Sequence, residues 1–365
     1  MKNLLIVITI LFLAFFSFFV CRRFGHVSDN TGNIPTNIPT NSPTSNPTNN
    51  PTPNNPVVTA LTSGKPVFGV MLNINQLTPQ GAIQVAKNLG VTYMRPEAIR
   101  LSTWNGSCNT CDAINASGLK AIPTIGNSGG GGVASAPPSD INVFKQKLSE
   151  VLNKYRFDIV FIENEENSTP FYSGTPEQYG AELKAACEVA HSKGLRCSNG
   201  GLVSKLVALL TYNHYLEQGN TAKANDFAAR AFDSSERSQL NSPAIKAYVK
   251  KGEALIDQDK AAGADYLNFH WYIPDTQALQ ETVAYLRERS GMTVITNEVG
   301  QQKNTDPQQV TGDLTTLTNL NIPFILWFSE DVNVAEQAKA LNNPDGSLRP
   351  NGEAFKSFTA SYKLK

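Results

Sequence analysis

The stretch Phe161-Ile-Glu-Asn-Glu-Glu-Asn167 runs from apolar, strand-forming residues straight into a cluster of acids and amides. Val294-Ile-Thr-Asn-Glu-Val-Gly300 repeats that construction later in the chain. Each places a carboxylate where a short apolar strand runs out, and the interval between them leaves room for several strand and helix units. From Pro66 onward, β-type runs alternate with amphipathic helical patterns. Strands are expected at Val67–Leu72, Tyr93–Arg95, Lys120–Thr124, Ile159–Glu163, Leu195–Asn199, Tyr266–His270, Thr293–Asn297 and Pro323–Phe328. Helices are expected at Pro79–Leu89, Cys111–Ser117, Ile141–Tyr155, Pro176–Lys193, Asp275–Ser290 and Pro307–Leu320, with a last one near Gly352–Tyr362. Ser117-Gly118, Lys193-Gly194 and Ser290-Gly291 read as helix stops ahead of the next strand. The longer Ala-, Lys- and Leu-rich stretch Leu202–Ala262 is expected to hold the fifth barrel helix and an inserted helical excursion. Eight units in strict alternation predict an α/β chain folded as a (β/α)8 TIM barrel rather than an open doubly wound sheet.

Composition fits one such barrel. The chain has 365 residues, of which the first 65 or so differ in character from the rest. The remainder suits a barrel of ~250 residues carrying an insertion. Thirty-one basic and 31 acidic residues balance to zero net charge, which leaves no electrostatic footprint for nucleic acid. No Gly-x-Gly-x-x-Gly follows the first strand, so a dinucleotide site is not expected. The glycine run Gly126-Asn-Ser-Gly-Gly-Gly-Gly132 lacks the Gly-Lys-Ser/Thr ending of a phosphate loop. It reads either as a rim segment of a cleft or as a plain surface loop.

The first 27 residues are expected to be a membrane anchor or signal segment. An uncharged apolar run from Leu4 to Val20 is close to the ~20 residues that span a bilayer. Bulky residues through Val20 fit a signal cleavage site poorly, so an uncleaved anchor is expected. A cleaved signal, or lipidation at Cys21, is the alternative. Arg22-Arg23 would favour the cytoplasmic side. Residues 28–65 repeat Pro-Thr-Asn units with too few apolar residues for a core, as expected of an extended linker. Such a stalk suits an exported, cell-surface protein, or a secreted one if the segment is cleaved. The folded unit is expected over 66–365, as a monomer that meets the membrane only through its N-terminal segment. In an exported chain Cys108–Cys111 and Cys187–Cys197 can form local disulfides, the alternative being free, partly buried thiols.

A barrel carries its active site at the C-terminal ends of its strands. The residues that fall there are Arg95, Glu163 to Asn167, Asn199, His270 to Tyr272, Asn297-Glu298 and Trp327 to Asp331. Two carboxylates at the ends of the fourth and seventh strands can face one cleft, which is what glycoside hydrolysis asks for.

Asn164-Glu165 after the fourth strand, with Glu298 after the seventh, resembles the pattern of clan A glycoside hydrolases. The run Glu163-Asn-Glu-Glu-Asn167 is similar to that clan's Trp-Asn-Glu-Pro-Asn, departing from it at Glu163 and Glu166. The resemblance implies Glu165 as acid/base and Glu298 as nucleophile of a retaining glycosidase acting on β-linked poly- or oligosaccharides. It implies substrate-site roles for Arg95 beside the nucleophile, Asn164 on the sugar 2-hydroxyl, His270 and Tyr272 as the clan's His-x-Tyr, and Trp327 as an exposed sugar platform. Carbohydrate is the expected partner, with no metal or organic cofactor. A catalytically silent carbohydrate-binding barrel and a transglycosylase are the competing readings.

Overall fold

The computed structural model describes residues 65–72, 77–302, 305–331 and 339–363. The expected anchor over 1–27 and all but the last residue of the expected linker over 28–65 lie outside the described residues. No helix among the described residues is long and apolar enough to cross a membrane.

Ten parallel strands form a single sheet: β1 Val67–Leu72, β2 Tyr93–Met94, β3 Ile99–Arg100, β4 Lys120–Ala121, β5 Thr124–Gly126, β6 Ile159–Ile162, β7 Arg196–Asn199, β8 Tyr266–Trp271, β9 Thr293–Val299 and β10 Phe324–Ser329. The ten reduce to the expected eight because two are interrupted. Pro96 separates β2 from β3, and Ile122-Pro123 separates β4 from β5. Proline has no N–H to give a ladder, so each strand resumes only past it. β4 pairs with β2, while β5 pairs with β3 and β6. The two halves of the third strand therefore reach both neighbours, and the ring closes through them. This is a (β/α)8 barrel.

Helices α1 Pro79–Asn88, α2 Asn109–Ala116, α3 Ile141–Lys154, α4 Pro176–Ser192, α9 Thr276–Ser290, α10 Pro307–Asn319 and α11 Pro350–Lys363 alternate with the strands. Between β7 and β8 stand four helices, α5 Ser204–Glu217, α6 Thr221–Ala231, α7 Ser234–Gln239 and α8 Pro243–Ala261. Local signals set the ends. Thr175 accepts from the Gln178 amide while the Gln178 side chain returns a bond to the Thr175 backbone, starting α4 at Pro176. Gly291 closes α9 in the left-handed conformation that a side chain would disfavour. The structure joins Cys108 to Cys111 at the start of α2, and Cys187 of α4 to Cys197 of β7.

Strand alternation divides the core in two. Tyr93, Ile122, Ile159, Phe161, Ile295, Phe324 and Leu326 fill the barrel interior. Phe68, Val70, Ile162, Phe269, Ile325 and Trp327 point outward into the helix layer. Phe324 ties the interior together, with Tyr93 edge-on at 5.3 Å and Phe161 at 5.8 Å between ring centres. Phe324→Ala empties the middle of that layer, and such truncations cost ~3–5 kcal/mol. Urea unfolding should show a loss in that range. A loss below about 1 kcal/mol would mean that the interior collapses around the gap.

Candidate active site

All the polar strand ends meet at one mouth of the barrel. Arg95, directly after β2, is 5% exposed. It donates from Nη1 to Glu298 Oε2 at 2.9 Å and to the Asn297 carbonyl at 3.2 Å, and from Nη2 to Asn164 Oδ1 at 2.7 Å. Tyr272, after β8, donates its hydroxyl to Glu298 Oε1 at 2.6 Å. His270 is fully buried, with Nδ1 3.0 Å from Glu165 Oε1 and 3.5 Å from Glu298 Oε1, and Nε2 2.9 Å from Asn297 Oδ1. One ligand-type atom each from Glu165, His270 and Glu298 falls within 4.8 Å of the others. Such a trio has cation-binding geometry, but the Arg95 guanidinium already sets a positive charge on Glu298.

The loop after β6 sends its acids in different directions. Glu163 and Glu165 both adopt left-handed backbone, at φ 62° and 45°. Non-glycine residues pay ~1–3 kcal/mol for such conformations and hold them where the surroundings over-determine them. Glu163 turns to the glycine-rich rim loop. Its Oε1 accepts from the Asn127 amide at 2.6 Å and from Ser135 Oγ at 2.7 Å. Glu166 turns inward, fully buried, and accepts from Asn199 Nδ2 at 2.7 Å. Glu165 alone of the three lies against His270 and the cleft. The loop fits because glycines follow β7. A Cβ on Gly200 would stand 2.6 Å from the Glu163 carbonyl, and one on Gly201 (φ 117°) would overlap the His270 ring.

Electrostatics divide the two facing carboxyls. Burial pushes both upward. At Glu298 that push is outweighed by the charges of His270 and Arg95 and by bonds from Tyr272 and Arg95, leaving it below the usual carboxylate range. At Glu165 burial prevails over the pull of His270, and the negative charge of Glu298 adds to the rise. Burial pushes the Tyr272 hydroxyl well up, with Glu298 adding to it, so it stays a donor.

Of the residues expected at the site, Arg95, Asn164, Glu165, His270, Tyr272 and Glu298 are brought together. Trp327 is not. It is fully buried on the outward face of β10, its ring edge-on to Phe355 of α11 at 5.9 Å, so it is a core residue and not an exposed platform. Phe328, one residue on and on the opposite face, reaches the mouth instead, edge-on to Tyr272 at 5.9 Å. Sequence reasoning also passed over Lys339, whose ammonium lies 4.9 Å from the Phe328 ring centre and 5.4 Å from that of Tyr272. Glu330, within the strand-end run Trp327 to Asp331 but given no role there, is a carboxyl pushed up to about 7 by burial and by Glu298. Neither carries a motif, since both lie beyond the last strand.

No family model and no curated protein matches the chain. Solved structures do. A psychrophilic glycoside hydrolase family 10 endo-β-1,4-xylanase is 12% identical, covers 82% of this chain and 99% of its own, and superposes with a TM-score of 0.52. A β-glycosidase is 14% identical over 79% of this chain and 86% of its own, at 0.50. An exo-β-1,3-glucanase of glycoside hydrolase family 128 from Aureobasidium namibiae is 13% identical over 79% and 95%, at 0.48. The resemblance to clan A glycoside hydrolases thus extends to the barrel fold.

Tyr272→Phe removes a donor that favours ionised Glu298, so the Glu298 pKa should rise. Carboxyl 13C NMR of glutamate-labelled protein would follow it, and an unmoved or lowered value would show that the bond does not hold the charge.

Proposed function

We propose that the protein is a retaining glycoside hydrolase that cleaves β-linked poly- or oligosaccharides. The observation that carries this reading is the approach of Glu165 and Glu298 within 4.8 Å, with their proton affinities driven apart. Retaining enzymes hold their carboxyls ~5–5.5 Å apart, whereas inverting enzymes need ~6.5–9.5 Å to admit a water. The β-linkage rests on the clan resemblance and on the β-linked substrates of the xylanase and glycosidase that share the fold.

Glu298, kept ionised by Arg95 and Tyr272, attacks the anomeric carbon. Glu165, kept protonated, gives its proton to the leaving oxygen. A glycosyl ester forms at Glu298 and the leaving group departs as an alcohol. Forming the ester removes the charge that raises Glu165, so the Glu165 pKa falls and the carboxylate can take a proton from the attacking water. Asn164, clamped by Arg95 Nη2, is assigned to the 2-hydroxyl.

Full-length Glu298→Ala should lose at least ~10³-fold in kcat on aryl β-glycosides, in line with removal of a covalent nucleophile. Added azide should restore turnover and yield an α-glycosyl azide. Wild-type activity in the variant would end the nucleophile assignment, and sugar binding without turnover in the wild type would favour the silent barrel.

We further place the barrel outside the cell, held by the Leu4–Val20 segment on its proline-rich stalk. The two disulfides support an oxidising compartment. External protease should release the folded barrel from intact cells. Protection until the cells are lysed would refute this placement.

A further inference from the structure

The nucleophile strand is irregular at the residue that matters. From Asn268 to His270, β8 advances two residues while β9 advances three, from Ile295 to Glu298. On the other flank β10 advances two residues, Ile325 to Trp327, while β9 advances three, Thr296 to Val299. Both neighbours therefore record one extra residue in β9, a bulge spanning Thr296 to Glu298. A bulge re-aims the side chains after it and strips ladder bonds from the backbone within it. Buried backbone groups need partners.

Here the partners are side chains. The Asn297 amide donates to Asn268 Oδ1 at 2.9 Å, the Glu298 amide to Thr296 Oγ1 at 3.3 Å, and the Asn297 carbonyl accepts from Arg95 at 3.2 Å. Asn268 is itself held from the far side. Its backbone amide donates to Asn199 Oδ1 at 2.6 Å, its Nδ2 donates to the Asn199 carbonyl at 3.3 Å, and Asn199 Nδ2 donates to the Asn268 carbonyl at 3.0 Å and to Glu166 Oε1 at 2.7 Å. All of Asn199, Asn268 and Asn297 are fully buried. Three amides thus cross β7, β8 and β9 and end at Asn297 Oδ1, which meets His270 Nε2 at 2.9 Å. An acceptor at that nitrogen fixes a proton on Nε2 and holds the ring with Nδ1 turned to Glu165 Oε1.

We propose that Asn268 is a positioning residue for the reaction: its amide replaces the ladder bond lost at the β9 bulge and so fixes Glu298, Asn297 and, through Asn297, the His270 ring. The role rests on Glu298 as nucleophile. Asn268 does not touch the reacting atoms and acts on them through the backbone of β9.

The test uses two variants of the full chain, with thermal melts to confirm folding. Asn268→Ala removes the acceptor. Displacements on the order of 1 Å cost about 10²-fold, so labelling of Glu298 by a 2-deoxy-2-fluoro glycoside should slow about that much, with KM within about threefold of wild type. The His270 ring 15N signals should change tautomer or titration midpoint. In Asn268→Asp a protonated carboxyl reproduces both the donor and the acceptor, whereas the ionised form does not. Its labelling rate should approach wild type at low pH and fall as the pH rises, a profile that simple loosening of the fold does not produce. Folded Asn268→Ala with wild-type labelling and unchanged His270 signals would overturn the proposal. So would Asn268→Asp that is equally slow at every pH. Failure of wild-type Glu298 to label would instead sink the nucleophile assignment, while the His270 signals would still report whether Asn268 sets the ring.

Discussion

The mouth of this barrel is organised around one buried negative charge. Glu298 is 8% exposed, and burial alone would favour its neutral form, which could not serve as the proposed nucleophile. Three elements counter that push: Arg95 from the end of β2, and His270 and Tyr272 from β8. Each is in turn constrained. Arg95 is shared with Asn164, so the same guanidinium that keeps Glu298 ionised also fixes the residue before Glu165. His270 lies between the two carboxyls, so its proton affinity and theirs are set together. A buried ion pair of this kind contributes little to stability against an apolar substitute, but leaving one partner alone is costly, on the order of 3–5 kcal/mol. The arrangement is explained by chemistry better than by folding.

The departures from regular structure gather at the same place. The bulge in β9, the left-handed Glu163 and Glu165 after β6, and the glycine pair after β7 all lie toward the C-terminal ends of their strands. Elsewhere the local rules mostly agree with the fold: most helices start at a side-chain cap, many stop at a glycine, and their apolar faces are buried, the left-handed Asn321 simply following the end of α10. Strain concentrated at one end of an otherwise regular barrel is the pattern of a scaffold that supports a site.

Much of this was legible in the sequence. The eight units could be read because strand and helix periods differ and glycines punctuate them, and the two prolines explain the two split strands. Glu298 was legible as an acid at the end of an apolar run. Trp327 was misjudged for a physical reason: Phe324-Ile-Leu-Trp-Phe328 is apolar throughout, because a parallel strand is buried on both faces. Without alternation nothing in the run says which ring points to the cleft, and parity within the folded strand assigns the mouth to Phe328. The bulge was hidden as well. Thr296-Asn-Glu298 contains no glycine, and its stray backbone groups are taken up by residues on β2, β8 and β9 itself, separated widely in the chain.

The cluster Glu163-Asn-Glu-Glu166 shows how three acids in four positions acquire separate tasks. A strand continuing regularly would point Glu163 and Glu165 to one face and Glu166 to the other. Left-handed turns at Glu163 and Glu165 break that alternation, sending Glu163 to the rim loop, Glu165 to His270 and Glu166 to Asn199. Two of the three therefore brace the site from opposite sides, one through the glycine-rich loop and the other through the asparagines behind β8. The acidic run that left several candidates open in the sequence is, in the folded chain, the proposed acid/base together with two carboxyls bonded to the loop and strand on either side of it.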